Sequence, residues 1–314
     1  MNIHHAIALS LCHLRCGRAI LAERFLNLIL GAGAGELPEV QQLKKLISTY
    51  KEIEYNINAI YAMPLDLQCL FETLATLHSY IDNFMEQNPV FYATNESCMI
   101  DNLCTIYENY FGRRRSGFFV EVGAFDGRTQ SNTDCLPPIG WSGLYIEPAP
   151  LYFEQCVRWH SSSPAIRFEN CAAGAENGSI ELTVGGVLST VSTEVASRWR
   201  EISWSARHFD GTKPVTVPLR KLDSILADHQ VPIGFEILVV DTEGYEGEVF
   251  AGFNLEYWKP QIAIVELADK ADQFAVLDKI AVDCKNIRER FIASGYQVIH
   301  ADNTNTVFAQ PKIR

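Results

Sequence analysis

The chain has 314 residues, 47% of them hydrophobic, enough for one large domain or for a catalytic domain with a smaller companion. Its formal net charge of −12 argues against a nucleic-acid ligand, because such proteins present a basic face. Its nine cysteines form no Cys-x-x-Cys pair and none lies at zinc-ligand spacing with histidine, so a reduced, cytoplasmic chain with thiols packed as small apolar groups is expected.

The N-terminal stretch is apolar, but Arg15, Arg18, Glu23 and Arg24 interrupt it. Charges at that density argue against a bilayer helix, and a signal peptide would need a basic start and a cleavage site. No integral membrane segment is expected. GAGAGE at 31–36 then breaks the chain before an amphipathic run. In that run Leu37, Val40, Leu43, Leu46, Ile47, Tyr50, Ile53, Ile57 and Ile60 recur at steps of three and four. Pro64 opens another, with Leu67, Leu70, Phe71, Leu74, Leu77, Ile81 and Phe84 on one face. Residues 1–105 are expected to form a helical accessory domain of three or four helices, with an amphipathic surface available for a homo-oligomer. Its histidines, His4, His5, His13 and His78, join no carboxylate or cysteine cluster and read as structural or solvent-facing. Arg113, Arg114 and Arg115 read as a solvated loop.

Residues 106–314 change character. GFFVEV (117–122), SGLYIEP (142–148), AIRFENCA (165–172), FEILVVD (235–241) and QIAIVEL (261–267) are short, continuous apolar runs. Parallel strands covered on both faces look like this. Helical stretches follow at 149–159, 221–229, 244–251 and 271–294, and 295–310 reads as a closing antiparallel hairpin. The expected fold is α/β, a doubly wound, mostly parallel seven-stranded sheet of the Rossmann-like kind.

In such a sheet, ligands bind beyond the carboxyl ends of the strands. Those ends carry Glu121, Glu147, Asn170, Asp241 with Glu243, and Glu266. Carboxylates are costly in a core and natural in a pocket. Gly123 and Gly127 allow a sharp turn and close approach of a ligand. A dinucleotide fingerprint would need a glycine where Phe125 stands, and Glu121 and Asp126 would repel a pyrophosphate. Glu147 lies 26 residues after Glu121, suited to ribose hydroxyls. A phosphate-free ligand with a ribose, an ammonium and a sulfonium answers all of this, namely S-adenosylmethionine. An NAD-dependent enzyme and a non-catalytic scaffold on the same fold are the alternatives.

The segments FFVEVGAFDGRTQSNTDCLPPIGWSGLYIEPAPLYFEQC, VPLRKLDSIL and ILVVDTEGYEGEVF together resemble the FkbM-type family of S-adenosylmethionine-dependent methyltransferases, over about residues 116 to 310. The resemblance implies O-methylation of a small-molecule or saccharide acceptor. It implies that Glu121, Gly123 and Gly127, with Ala124 and Asp126 in the same loop, hold the methionine half of the cofactor. Glu147, beside Pro148, would take the ribose, and Asn170, Cys171 and Ala172 would flank the adenine. Asp241 and Glu243 would face the sulfonium and the acceptor. Glu246 and Glu248 read as a helix face, and Cys171 as packing.

Deprotonating a hydroxyl needs a base stronger than an ordinary aspartate, whose pKa is ~4. Three routes stay open. Burial beside Glu243 and Glu266 would raise the pKa of Asp241. A divalent cation such as magnesium on Asp241 and Glu266, joined by Glu243 or Asp269, would acidify the hydroxyl. His208 would serve as the base instead. Segment 185–213, with Trp199, Trp204 and His208, reads as a lid and acceptor site.

Overall fold

The computed structural model describes residues 6, 7, 10, 11, 13, 14, 19–58, 92, 94, 98–267 and 278–312. The helical run expected after Pro64 and the candidate ligand Asp269 lie outside the described residues. The chain forms two compact units. One comprises residues 1–94, 102–116 and 135–140; the other comprises 95–101, 117–134 and 141–314.

The first unit is helical. Helix α1 (Ala19–Gly31) ends at the glycine-rich stretch, and α2 (Pro38–Asn58) starts at its proline. The two pack on one another. Ala22, Leu26 and Ile29 of α1 and Val40, Leu43 and Ile47 of α2 are buried, the stripe that the three-and-four spacing predicts. Helix α3 (Leu103–Phe111) buries Leu103 and Tyr107, and the Tyr107 ring meets Tyr92 edge-on at 5.6 Å. The arginine run is less solvated than its composition suggests, since the Arg114 guanidinium lies over the Phe111 ring at 5.1 Å.

The second unit is built on a seven-stranded sheet. Its elements are β1 (Phe118–Val122), β2 (Ser142–Ile146), α4 (Pro150–His160) and β3 (Ile166–Glu169), then β4 (Ala172–Gly174), β5 (Gly178–Leu182), α5 (Thr193–Glu201), β6 (Val215–Lys221) and α6 (Leu222–Asp228). There follow β7 (Ile237–Val240), α7 (Glu246–Ala251), α8 (Leu255–Trp258), β8 (Ile262–Glu266), α9 (Asp278–Ala293), β9 (Gln297–Ala301) and β10 (Asn305–Ala309). The strand order is β3-β2-β1-β7-β8-β10-β9, with β10 antiparallel to both neighbours and the other pairs parallel. This is a doubly wound, mostly parallel Rossmann-like arrangement. Central strands β1, β7 and β8 are buried throughout, which is why they read as unbroken apolar runs.

The stretch AIRFENCA, expected as one strand, is two. Residues 166–169 pair with β2, while 172–174 join a separate sheet of order β4-β6-β5. Asn170 and Cys171 make the change of direction between them. Strand order reverses between β1 and β7, so their carboxyl ends diverge into connections on opposite sides, the place where such sheets open a crevice. No described helix is long and apolar enough to cross a membrane.

Candidate functional site

A cavity of about 260 Å³ lies at that crevice. Its wall includes Glu121, Gly123, Ala124, Glu147, Pro148, Cys171, Ala172, Asp241, Glu243 and Glu266, with Trp199 and Trp204, so twelve of the residues singled out in the sequence meet there. None of its lining residues is a lysine, an arginine or a histidine.

The turn after β1 is shaped by a close backbone approach. Gly123 has φ +83°, and a Cβ there would fall 1.7 Å from the carbonyl oxygen of Asp241. The Asp241 N–H in turn donates to the Val122 carbonyl at 3.0 Å. Only glycine fits where these two strand ends touch. Gly127, also at positive φ, is needed for a different contact: a Cβ would meet Cys156 Sγ at 2.6 Å. Its carbonyl accepts from His160 Nε2 at 2.8 Å, which ties the loop to α4.

Glu121 is buried, and its carboxylate accepts from Ser131 Oγ (2.9 Å), the Asn132 N–H (3.2 Å) and Thr133 Oγ1 (2.6 Å). Burial still pushes its carboxyl up to about 7. Glu147 accepts from the N–H groups of Phe125 and Ala149, each at 2.8 Å, and burial raises it to about 7 as well. Glu147 thus joins the β1 loop to the start of α4 and still faces the cavity. A carboxylate has about four lone-pair sites, so each keeps acceptor capacity for a ligand.

Four of the expected residues stand outside the lining. Asp126 turns back on its own loop, accepting from the N–H groups of Arg128 and Thr129 and from Thr129 Oγ1. Gly127 packs against α4. Asn170 Nδ2 donates to the carbonyls of Glu147 (2.7 Å) and Pro148 (3.2 Å), holding the end of β2 in shape. His208 sits on a short turn behind Gly186, with its Nδ1 3.4 Å from where a Gly186 Cβ would be. Cys171 is fully buried, and burial lifts its thiol to about 12, so it is a neutral wall group.

Beyond the end of β7, one carboxylate oxygen from each of Asp241, Glu243 and Glu266 lies within 4.8 Å of the others. Burial raises all three carboxyls; repulsion adds to it, from Glu246 on Asp241, from Asp241 and Glu246 on Glu243, and from all three of those acids on Glu266. The side chains of Asp241 and Glu266 interact in a sense that lowers Asp241 and raises Glu266. The Trp199 side chain acts on Glu243 in the opposite sense to burial. An oxygen-only set of this kind suits a proton, an organic cation or a hard divalent cation.

A further part of the wall comes from the 182–204 stretch: Leu182, Gly186, Val187, Leu188, Ser189, Val191, Trp199 and Trp204. Trp199 is buried and Trp204 is 53% exposed, with rings 5.4 Å apart and edge-on. Composition alone could not distinguish this wall from a peripheral hairpin. Phe125 also lines the cavity, as do Thr129, Gln130, Ser131, Asn132 and Met99, which were not singled out. Their signal, a polar loop just after the glycine turn, is weak in a single chain.

A family model described as the methyltransferase FkbM domain matches residues 121–298, more than half of the chain. No curated protein matches the sequence. Among solved structures, an O-methyltransferase from Bacillus cereus in complex with SAH covers 82% of this chain and all of its own, at 8% identity and TM-score 0.39. A precorrin-6y C5,15-methyltransferase from Geobacter metallireducens covers 69% of this chain and 92% of its own, at 9% identity and TM-score 0.36. A TehB-like SAM-dependent methyltransferase from Corynebacterium glutamicum covers 63% and 82%, at 8% identity and TM-score 0.31.

Proposed function

Since the chain belongs to the methyltransferase FkbM domain family, we propose that it transfers a methyl group from S-adenosylmethionine to a hydroxyl of a small-molecule or saccharide acceptor. The observation that carries the choice of donor is the lining itself: five carboxyl side chains and no basic one. That set suits a ligand with an ammonium, a sulfonium and no phosphate, and is hostile to a pyrophosphate.

Glu121 faces the donor's ammonium, with Gly123 and Ala124 alongside it. Glu147 accepts from the ribose hydroxyls, and Cys171 and Ala172 border the base. Asn170, Asp126 and Gly127 act one step back, shaping the loops that bear these groups. When bound, S-adenosylmethionine supplies a methyl group activated by positive sulfur. Asp241 accepts the hydroxyl proton as the bond to oxygen forms, with the Glu266 carboxyl beside it. Its raised affinity for protons makes it a better base than a surface aspartate. His208, away from the lining, is set aside for this role.

A magnesium ion on Asp241, Glu243 and Glu266 is the second reading, favoured by the spacing of their oxygens. Activity that survives exhaustive chelation would dismiss it. The helical unit is assigned an accessory role with self-association, which sedimentation velocity would test, in a cytoplasmic protein.

Calorimetric titration with adenosylhomocysteine and with NAD⁺ tests the donor. Binding of the first and not the second is expected. Glu147→Ala should weaken it by about tenfold or more, a loss of ~1.4 kcal/mol, and Glu147→Gln by less, since its one oxygen can serve only one of the two backbone donors. Binding of NAD⁺ alone would overturn the assignment, and binding of neither would favour a scaffold. With a donor ¹³C-labelled at the methyl, the label should be recovered in an ether, not on nitrogen or carbon.

A further inference from the structure

We propose that Glu246, which lies outside the cavity wall, is a positioning residue that holds Glu243 in place at the methyl-transfer site. The inference rests on the reading of the cavity as a donor site.

Glu246 opens α7, where helical spacing alone would make it a solvated acid. It is instead buried, 6% exposed. Among the described residues no ion pair or hydrogen bond links it to a basic side chain. Its Oε1 accepts from the Thr242 N–H (2.8 Å), Thr242 Oγ1 (2.9 Å) and the Gly244 N–H (3.3 Å). The two amides lie on either side of Glu243, so one oxygen ties the loop closed around that residue.

The loop needs such a tie. Glu243 has φ +53° and Gly244 φ +87°, two left-handed residues in succession. Gly244 accepts this geometry freely, but a glutamate does so only under constraint. A second bond holds the far side: Thr190 Oγ1 donates to the Glu243 carbonyl at 2.8 Å. There is no slack toward α5 either, since a Cβ at Gly244 would lie 2.6 Å from Val195 Cγ2. With its backbone held from both sides, Glu243 places its carboxylate in the cluster with Asp241 and Glu266 on the cavity wall. Without the Glu246 oxygen, the amides of Thr242 and Gly244 would lose their acceptor and the left-handed turn would relax.

Two donor analogues read this without knowledge of the acceptor. Sinefungin carries a protonated amine where the donor carries its methyl-bearing sulfur; adenosylhomocysteine carries a neutral sulfur. The ratio of their affinities reports a correctly aimed carboxylate near that atom. Glu243→Gln should lower the preference for sinefungin by about tenfold. Glu246→Ala should lower it comparably while adenosylhomocysteine affinity stays within about twofold, and Glu246→Gln, which keeps an acceptor oxygen, should restore the wild-type ratio. Adding Glu246→Ala to Glu243→Gln should cost nothing more, because one residue acts through the other.

An unchanged ratio in Glu246→Ala overturns the inference, as does a Gln variant no better than Ala or a further drop in the double variant. If the Ala variant does not fold, Glu246→Asp, one methylene too short to reach the loop, must show the drop, and a wild-type ratio there overturns the inference too. A wild-type protein that binds adenosylhomocysteine but shows no dependence on Glu246 fails this inference alone. One that binds neither analogue fails the donor reading and this inference with it.

Discussion

At the scale of single residues, two glycines with the same sequence signature have different duties. Gly123 is excluded from bearing a side chain by the backbone of Asp241, and Gly127 by side chains of α4. Gly123→Ala should therefore be the worse substitution, because the backbone carbonyl of Asp241, a residue at the end of β7 whose N–H is bonded to Val122, cannot move aside as a side chain can. We expect it to destabilise the fold by about 3 kcal/mol or more in urea titrations and to abolish adenosylhomocysteine binding. Gly127→Ala should unfold at a higher urea concentration than Gly123→Ala. The strand-end acids were legible as a group because carboxylates rarely follow buried apolar runs without a task. Their division of labour was not. Asp126 and Asn170 bond to nearby backbone, and nothing in their spacing distinguishes a loop brace from a ligand contact.

At the scale of elements, the parallel strands and the closing hairpin could be read from the chain because burial on both faces leaves a continuous apolar run. Strands β5 and β6 escaped notice: β5 is mostly exposed and β6 alternates around Pro218. The small sheet they form with β4 turns the chain at Asn170–Cys171 and brings Cys171 and Ala172 to the cavity. The segment after it supplies a wall with one buried and one exposed tryptophan. Trp204→Phe should shift the unfolding free energy by no more than about 0.5 kcal/mol, as expected at an exposed position. It should also remove a large part of the change in tryptophan fluorescence on adenosylhomocysteine binding, since Trp204 lies on the cavity wall. An undiminished signal would argue against ligand contact at that wall.

At the scale of the whole molecule, the sheet gathers acids whose charged forms are penalised by burial. Glu121 and Glu147 rise from 4.5 to about 7, and Asp241, Glu243, Glu246 and Glu266 rise also. A raised carboxyl binds its proton more tightly folded than unfolded. Its contribution is therefore fully present below about pH 4.5 and is lost as pH climbs through 7. For Glu121 and Glu147 the loss is on the order of 3 kcal/mol each. Glu169 and Asp302 are shifted down, so they act in the opposite sense and only in more acid solution. The ligand-free protein should be less stable to urea at pH 8 than at pH 5.5. Sinefungin, as a cation, should bind more tightly at pH 8 than at pH 6, with release of protons visible as a buffer-dependent binding enthalpy. Stability that rises with pH over this interval would contradict the picture of unpaired buried acids.

The amino-acid sequence by itself determined the α/β class, the positions of the central strands, the acidic strand ends and the glycine turn that opens the crevice. Each of these leaves a local trace: a burial period, a charge after an apolar run, or a residue without a Cβ. Only the tertiary structure decided that AIRFENCA serves two sheets, that His208 stands off the cavity and that Glu246 is an interior brace. Those outcomes depend on which distant backbone groups come within about 3 Å of a given oxygen. Hydrogen-bond partnership of that kind is created by the meeting of loops, and has no period along the chain.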